Sequence, residues 1–170
     1  GDIAAVTELA SAYHFGRRGV AHDYQLAFQL YQRAAHAGDV RAMWLLGGMY
    51  AGGYPTLPQD FSEARRLYEM AAEKGQIGAQ LDLADFCFRG VAGPIDLARS
   101  RQLFRLVAES GNTSGMQRLA HLLDKGMGGP ADYDGAAQWY LRAAREGDAQ
   151  AQHQLLSKWV CYWSNETRMA

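Results

Sequence analysis

The sequence predicts an all-α fold, an α-solenoid (superhelix) of about four helix–turn–helix repeats followed by a C-terminal capping helix. Three observations carry this prediction. A glycine recurs at intervals of 37, 37, 36 and 36 residues; leucines, aromatics and small residues keep the same frame; and every proline falls in a predicted loop. A single helix pair cannot bury its apolar face, so neighbouring pairs have to stack.

Five kinds of recurring residue define the repeat frame. The glycine is Gly1, Gly38, Gly75, Gly111 and Gly147; four residues later a small residue stands at Ala5, Ala42, Ala79, Gly115 and Ala151; and eight residues later a leucine stands at Leu9, Leu46, Leu83, Leu119 and Leu155. An aspartate recurs at Asp23, Asp60, Asp96 and Asp132, and eight residues beyond it lie Tyr31, Tyr68, Phe104 and Tyr140. Because their type is kept between copies, we expect the leucines and aromatics to pack in the core.

Each copy is predicted to contain two helices. In the first copy, the first helix runs from about Ile3 to Phe15. A glycine follows this helix at Gly16, Gly53, Gly90 and Gly126, because a residue at this position needs a left-handed backbone. The connecting loops hold the prolines, Pro55, Pro58, Pro94 and Pro130. The recurring aspartate is predicted to cap the second helix by accepting hydrogen bonds from its open amides.

The predicted domain covers residues 1–161, with repeats at about 1–37, 38–74, 75–110 and 111–146 and a half repeat at 147–161. The half repeat is a single capping helix from Asp148 to Cys161, and residues 162–170 form a C-terminal tail. Trp159 holds a packing position, whereas Tyr162 and Trp163 either close the end of the array or contact another chain. Self-association through this apolar end is therefore one open possibility.

Composition excludes several classes of function. The 170 residues carry a net charge of −1, which gives no electrostatic case for nucleic acid or for an anionic membrane surface. No apolar run approaches the 18 residues of a membrane span, and no leader segment is visible after Gly1. Cys87 and Cys161 lie two copies apart, so we expect no disulfide between them.

A search for reactive motifs finds no nucleophile elbow, phosphate loop, CxxC or HExxH. The five histidines occupy different repeat positions and do not converge by symmetry, so the sequence predicts no metal site, no catalytic residue and no cofactor. Asp82, Asp85 and His121 leave one alternative open. Asp85 and His121 hold equivalent places in adjacent copies and could form an acid–base pair, which would make the protein a hydrolase.

At this point the residues resemble the Sel1-like repeats, relatives of the tetratricopeptide repeats. In the first copy the resemblance rests on Ala5, Leu9, Tyr13, Gly16, Gly19-Val20, Asp23, Ala27, Tyr31, Ala34-Ala35 and Gly38. It implies a right-handed superhelix whose first helices line the concave groove. It also implies protein–protein interaction: adaptors, regulators, structural envelope-assembly scaffolds, and immunity proteins that neutralise secreted toxins, with the bacterial periplasm or cell envelope favoured over the cytoplasm. Relatives described as β-lactamase-like carry regular cysteine pairs, which this chain lacks.

We therefore predict a non-enzymatic module that binds an unidentified protein partner in its concave groove. The partner-binding stripe is the face of the first helices whose residue type varies between copies. It comprises Glu8, Arg41, Trp44, Leu45, Asp82, Asp85, Arg118, His121, Gln150 and Gln154. Trp44 has two interpretations: it forms an exposed contact together with Leu45, or it packs against the neighbouring second helix.

Overall fold

A computed structural model describes residues 2–17, 19–54 and 57–166, and it describes side chains in these ranges up to residue 157. Within these ranges the chain forms nine α-helices and no β-strand; Tyr54 and Leu57 form one isolated bridge. The helices are α1 (Ile3–Phe15), α2 (Tyr24–His36), α3 (Val40–Gly52), α4 (Phe61–Glu73), α5 (Ile77–Arg89), α6 (Leu97–Glu109), α7 (Thr113–Lys125), α8 (Tyr133–Arg145) and α9 (Ala149–Glu166). The all-α repeat prediction is confirmed.

Side-chain caps begin both kinds of helix. The predicted aspartate caps of the second helices are confirmed: Asp23 accepts from the Leu26 amide, and its equivalents Asp60, Asp96 and Asp132 make the same kind of bond. The first helices are capped as well, by Asp2, Asp39, Gln76 and Asn112. Each of these residues directly follows the repeat glycine, so a single two-residue signal both ends one helix and starts the next.

Glycines end the first helices where the sequence predicts. Gly16 has a φ of 61° and a ψ of 38°, and its N–H donates to the Ala12 carbonyl. A side chain at this left-handed position would be strained. The chain then returns along the helix, because the Asp23 N–H donates 3.1 Å to the Tyr13 carbonyl. The same kind of bond joins the Asp60 N–H to the Tyr50 carbonyl and the Asp132 N–H to the Leu123 carbonyl, at the starts of α4 and α8.

The chain forms two compact units, residues Gly1–Ile95 and Asp96–Ala170. The first unit holds α1 to α5 and the second holds α6 to α9, and within each unit every helix packs against the next one in sequence. We call α1, α3, α5, α7 and α9 the first helices, and α2, α4, α6 and α8 the second helices. The boundary falls inside the third copy, between α5 and α6.

The recurring aromatic residues form the core of each unit. Tyr31, Tyr68, Phe104 and Tyr140 are at most 3% exposed, as predicted. The leucines follow the prediction at Leu46, Leu83 and Leu119, and Leu155 is half-buried. The prediction is wrong for Leu9, which is 47% exposed. Leu9 belongs to α1, and no described helix precedes α1 to cover it.

Packing between α6 and α7 shows a compensating exchange of volume. In the other copies the equivalent position of the second helix holds Ala34, Ala71 or Ala143, and the equivalent position of the next first helix holds Ala42, Ala79 or Ala151. Here the second helix has the larger Val107, and the first helix has Gly115. A Cβ added to Gly115 would lie 2.5 Å from Cγ1 of Val107 and 2.9 Å from the Ala108 amide nitrogen. The extra valine volume thus fills the space that an alanine occupies elsewhere.

Candidate functional site

The residues of the predicted stripe lie on first helices in both units. In the first unit, Arg41 of α3 forms an ion pair with Glu8 of α1. Their side chains are 51% and 45% exposed. At this exposure the pair adds about 0–1 kcal/mol to stability. The two charges partly neutralise each other. The electrostatic potential at this end of the stripe is therefore weaker than two unpaired charges would produce.

Trp44 connects the next two first helices. Its indole Nε1 donates a 2.6 Å hydrogen bond to Oδ2 of Asp82 on α5. The ring lies against Gly78, where an added Cβ would stand 2.5 Å from the indole carbons. Trp44 therefore packs on the neighbouring first helix, α5. Leu45 beside it is half-buried, so an isolated exposed aromatic–aliphatic pair is not present.

Asp82 is a carboxylate in a largely desolvated position. Burial raises its pKa, the Trp44 hydrogen bond partly offsets this shift, and the charge of Asp85 adds to it. The neighbouring Tyr68 has its pKa raised by burial and by the Asp82 charge, so its hydroxyl stays protonated. Asp82 and Asp85 thus give the first unit a locally acidic strip on α5.

In the second unit, four of the predicted residues line one cavity of about 350 Å³. Arg118 and His121 come from α7, and Gln150 and Gln154 from α9. The remaining lining residues are Gln117 of α7 and Tyr140 of α8, which the sequence analysis did not place in the stripe. Tyr140 was expected to be a core residue only; it is buried, and it also forms part of the cavity wall.

The wall of this cavity carries two hydrogen-bond donors, the Tyr140 hydroxyl and the Gln117 side-chain amide. Burial and, to a smaller degree, the charge of Asp124 raise the pKa of Tyr140 to about 12. Its hydroxyl therefore stays protonated over the physiological range. Nε2 of Gln117 is buried and has no hydrogen-bond partner among the described residues. A buried donor without an acceptor costs about 1–3 kcal/mol, so the cavity wall holds an unsatisfied amide.

The hydrolase alternative requires Asp85 and His121 to act together. Asp85 lies on α5 in the first unit, and His121 lies on α7 in the second. Their pairing stays a prediction. No group of three or more His, Cys, Asp or Glu side chains with the arrangement of a metal site is found in the described part of the chain.

A cluster around His14 escaped the sequence analysis. His14 is 9% exposed, and its Nε2 lies 2.7 Å from the Tyr54 hydroxyl. Its ring stacks on Phe15 and meets the edges of Tyr24 and Tyr31. Desolvation by burial, followed by the nearby His22, lowers the His14 pKa. The signal for this cluster was a histidine two residues before the glycine that ends the helix, directly beside Phe15.

The two cysteines were expected to remain unlinked. Cys87 is fully buried at the position that holds Tyr13 and Tyr50 in the first two copies. The Arg65 guanidinium lies 3.9 Å from its sulfur. The predictions for Trp159, Cys161, Tyr162 and Trp163 fall outside the described side chains. None of the described helices is long and apolar enough to cross a lipid bilayer.

The repeated helix pair with a buried aromatic, an aspartate cap and a glycine end is the pattern of a known family. The Sel1 repeat matches four consecutive segments, residues 3–39, 40–76, 77–112 and 113–148. The chain belongs to the Sel1 repeat family. Sel1 repeat proteins mediate protein–protein interactions, and their fold is typically a non-enzymatic scaffold.

Solved structures show the same Sel1 fold. A protective antigen of uropathogenic Escherichia coli, c5321, is 35% identical with a TM-score of 0.86, and the match covers 91% of this chain and 33% of that one. A Sel1 repeat protein from Oxalobacter formigenes is 28% identical with a TM-score of 0.81, over 89% of this chain and 61% of that one. The immunity protein Pa5087 from Pseudomonas aeruginosa is 19% identical with a TM-score of 0.61, over 92% and 58%.

The chain therefore spans about a third of the length of the Escherichia coli antigen and about three fifths of the Oxalobacter formigenes protein. Among proteins with curated descriptions, none matches the Sel1 repeat chain significantly by sequence.

Proposed function

We propose that this chain is a non-enzymatic interaction module that holds a protein partner on its first helices. The supporting observation is the contrast between the two faces of these helices. Their inward positions repeat Ala and Leu, whereas the stripe residues differ in every copy. Stacking explains the repeated residues, but it places no demand on residues that vary in type and reach solvent.

The stripe offers different chemistry in the two units. Asp82 and Asp85 make the first unit locally acidic, whereas Arg118 with three glutamines supplies donors in the second. A partner segment on α5 would have to complement the carboxylates of Asp82 and Asp85, because like charges placed together would oppose binding, whereas a segment on α7 and α9 would meet hydrogen-bond donors. This arrangement favours recognition of a specific segment over general adhesion.

Site-specific crosslinking tests the proposal. A photoreactive amino acid replaces the exposed Gln150 on α9, and the matched control carries it at the exposed Gln102 on α6. Expression in the native host followed by irradiation should yield one dominant crosslinked protein from Gln150 and none from Gln102. Crosslinks from Gln102 instead, or from neither position, would contradict the proposal.

A second candidate role makes the partner a secreted toxin, with this chain acting as a regulator or immunity-type inhibitor. The protein from Pseudomonas aeruginosa that is described as an immunity protein has the same repeat fold, which supports this narrower proposal. It predicts that co-expression of the chain restores growth to cells producing the protein crosslinked at Gln150. If the two proteins form a stable complex but toxicity is unchanged, the chain binds this protein without inhibiting it. That result would contradict the inhibitor role and would be consistent with the binding role.

A further inference from the structure

The cavity of the second unit is lined by three side-chain amides. Gln117 comes from α7, and Gln150 and Gln154 come from α9, around a volume of about 350 Å³. Ligand pockets in proteins have volumes of roughly 300–1,000 Å³, so this cavity is large enough to hold a ligand. A glutamine amide carries N–H donors beside a carbonyl acceptor, and it can therefore pair with another amide group through both.

The arginine and the histidine of this wall do not identify the ligand. Arg118 and His121 line the cavity, but each of them already interacts with another group of the chain. We therefore infer the chemistry of the ligand from the neutral groups. These are the three glutamine amides and the Tyr140 hydroxyl, which together supply both donors and acceptors.

Gln117 gives the wall a donor that lacks an acceptor. Its Nε2 is buried and has no hydrogen-bond partner among the described residues. A buried N–H without an acceptor is unfavourable, and an oxygen that enters the cavity would relieve this cost. Because Gln117 also lines the cavity, a ligand that carries carbonyl oxygens is favoured over an apolar or cationic one.

The spacing of Gln150 and Gln154 favours a polypeptide main chain over a single amide group. The two residues are four apart on α9, so their Cα atoms are separated by about 6 Å along the helix axis. An extended main chain directs an N–H and a C=O to the same edge at every second residue, which gives a repeat of about 6.6 Å. A segment that lies along α9 can therefore offer one peptide group to each glutamine.

We propose that this cavity binds the main chain of an extended segment of the protein partner. The glutamine amides pair with its peptide groups, and the Tyr140 hydroxyl donates to a carbonyl oxygen. The proposal rests on the proposed function, because it supposes that a partner segment lies on α7 and α9. Binding of this kind holds the backbone of the segment and does not depend on the charge of its side chains.

The test uses the full chain and a neutral peptide, acetyl-Ala-Ser-Ala-Ser-Ala-amide. Binding is followed by NMR through the side-chain amides of Gln117, Gln150 and Gln154. The peptide should shift these signals in a saturable way. Its counterpart with every backbone nitrogen methylated lacks the N–H donors and should bind at least about tenfold more weakly. Acetamide, which offers a single amide group, should also bind at least about tenfold more weakly.

Three variants assign the effect to the cavity. Gln154→Met removes an amide at nearly unchanged length, and Gln138→Met makes the same change at an exposed residue of α8 that does not line this cavity. Gln154→Met should weaken the neutral peptide at least about threefold, whereas Gln138→Met should leave its affinity unchanged. Gln117→Met should also weaken the peptide but should not lower the stability of the fold, because it removes an unsatisfied amide.

Several results would overturn the proposal. Absence of saturable shifts with the neutral peptide, or equal binding of its methylated counterpart, would show that the backbone is not recognised. Equal binding of acetamide would indicate a site for a side-chain amide. Binding of acetyl-Ala-Glu-Ala-Glu-Ala-amide at least about tenfold more tightly than the neutral peptide would indicate a site that selects charge. Equal effects of Gln154→Met and Gln138→Met would place the peptide outside the cavity.

This outcome is separable from that of the proposed function. If Gln150 crosslinks a partner but the neutral peptide does not bind, the interaction role stands and the main-chain site is contradicted. If the neutral peptide binds through Gln154 but no partner is crosslinked at Gln150, the site stands and the role of the first helices in partner binding is contradicted.

Discussion

The indole nitrogen of Trp44 donates a 2.6 Å hydrogen bond to the carboxylate of Asp82, and this bond joins two successive first helices. Both residues belong to the predicted partner-binding stripe. Their contact means that part of the stripe stabilises the stack as well as facing solvent. Variants of Trp44 and Asp82 therefore measure the stability of the stack, and a test of partner binding has to leave both side chains in place.

Replacing Trp44 with phenylalanine should destabilise the chain. The change leaves a largely buried carboxylate without its donor, and a hydrogen bond to a charged group contributes ~1.5–3 kcal/mol. Urea unfolding of Trp44→Phe should show a loss of this size. Trp139→Phe is the control, since Trp139 makes a contact with Arg142 through its ring face rather than through the indole nitrogen. An equal loss in both variants would contradict the role of the hydrogen bond.

The raised pKa of Asp82 predicts that its contribution to the stability of the fold decreases as pH rises. Its pKa in the folded chain is raised above 3.8, so the folded state holds this proton more tightly than the unfolded state. The contribution to stability is fully present below pH 3.8 and is lost as pH rises through the raised value. Asp82→Asn keeps an oxygen that accepts from Trp44 and removes the charge. The variant should gain stability over the unsubstituted chain as pH rises from 3.5 to 7, and a constant difference between the two would refute this sign.

The Val107–Gly115 contact predicts a non-additive pair of substitutions. Gly115→Ala should destabilise by ~1–3 kcal/mol because the added methyl group meets Val107 and the Ala108 amide. Val107→Ala should cost ~0.5–2 kcal/mol, since it opens a cavity. The double variant recreates the alanine pair of the other copies and should recover most of the loss from Gly115→Ala. A double-mutant cycle by urea unfolding measures this coupling, and strict additivity would show that the two residues do not share the space.

His14 predicts loss of stability in mild acid. Its folded pKa is lowered from 6.5, because its ring is buried and, to a smaller degree, because His22 lies nearby. The groups facing it are His22, Tyr24, Tyr31 and Tyr54, none of which supplies a negative charge at this pH. The unfolded state therefore takes up the proton first, and stability present above pH 6.5 falls as pH drops toward the lowered value.

Urea unfolding at pH 7.5 and pH 5 measures this effect. His14→Phe should reduce the difference in unfolding free energy between the two pH values, and the same change at the exposed His153 should not. If His14→Phe keeps the full difference, another group is responsible for the acid sensitivity.

Much of the fold was predictable because the same sequence pattern recurs in each repeat. The aspartate caps, the glycine ends and the buried aromatics each recur, and the structure confirms them at every described copy. The prediction for Leu9 was wrong because a repeat position fixes a residue's orientation within its own helix. Burial also needs a neighbouring helix on that side, and among the described residues no helix precedes α1.

The candidate site was predictable in position but not in contacts. Helical spacing placed the stripe on the first helices, and four of its residues meet in one cavity. Spacing within one copy could not show that Trp44 reaches Asp82, because this bond spans 38 residues and depends on the small Gly78 beneath the ring. The cluster around His14 was missed for the same reason, since Tyr54 reaches it from a loop in the next copy.

The affinity of the chain for the protein crosslinked at Gln150 tests the central claim most directly. One variant changes four stripe residues to alanine, Leu45, Arg118, Gln150 and Gln154. The matched control changes four residues of the same types on the second helices, Leu106, Arg105, Gln102 and Gln138. We expect the stripe variant to raise the Kd at least about 100-fold, which corresponds to ~2.7 kcal/mol, and the control to change it less than about threefold. An unchanged Kd in the stripe variant, or an equal loss in the control, would contradict the assignment of the partner to the first helices.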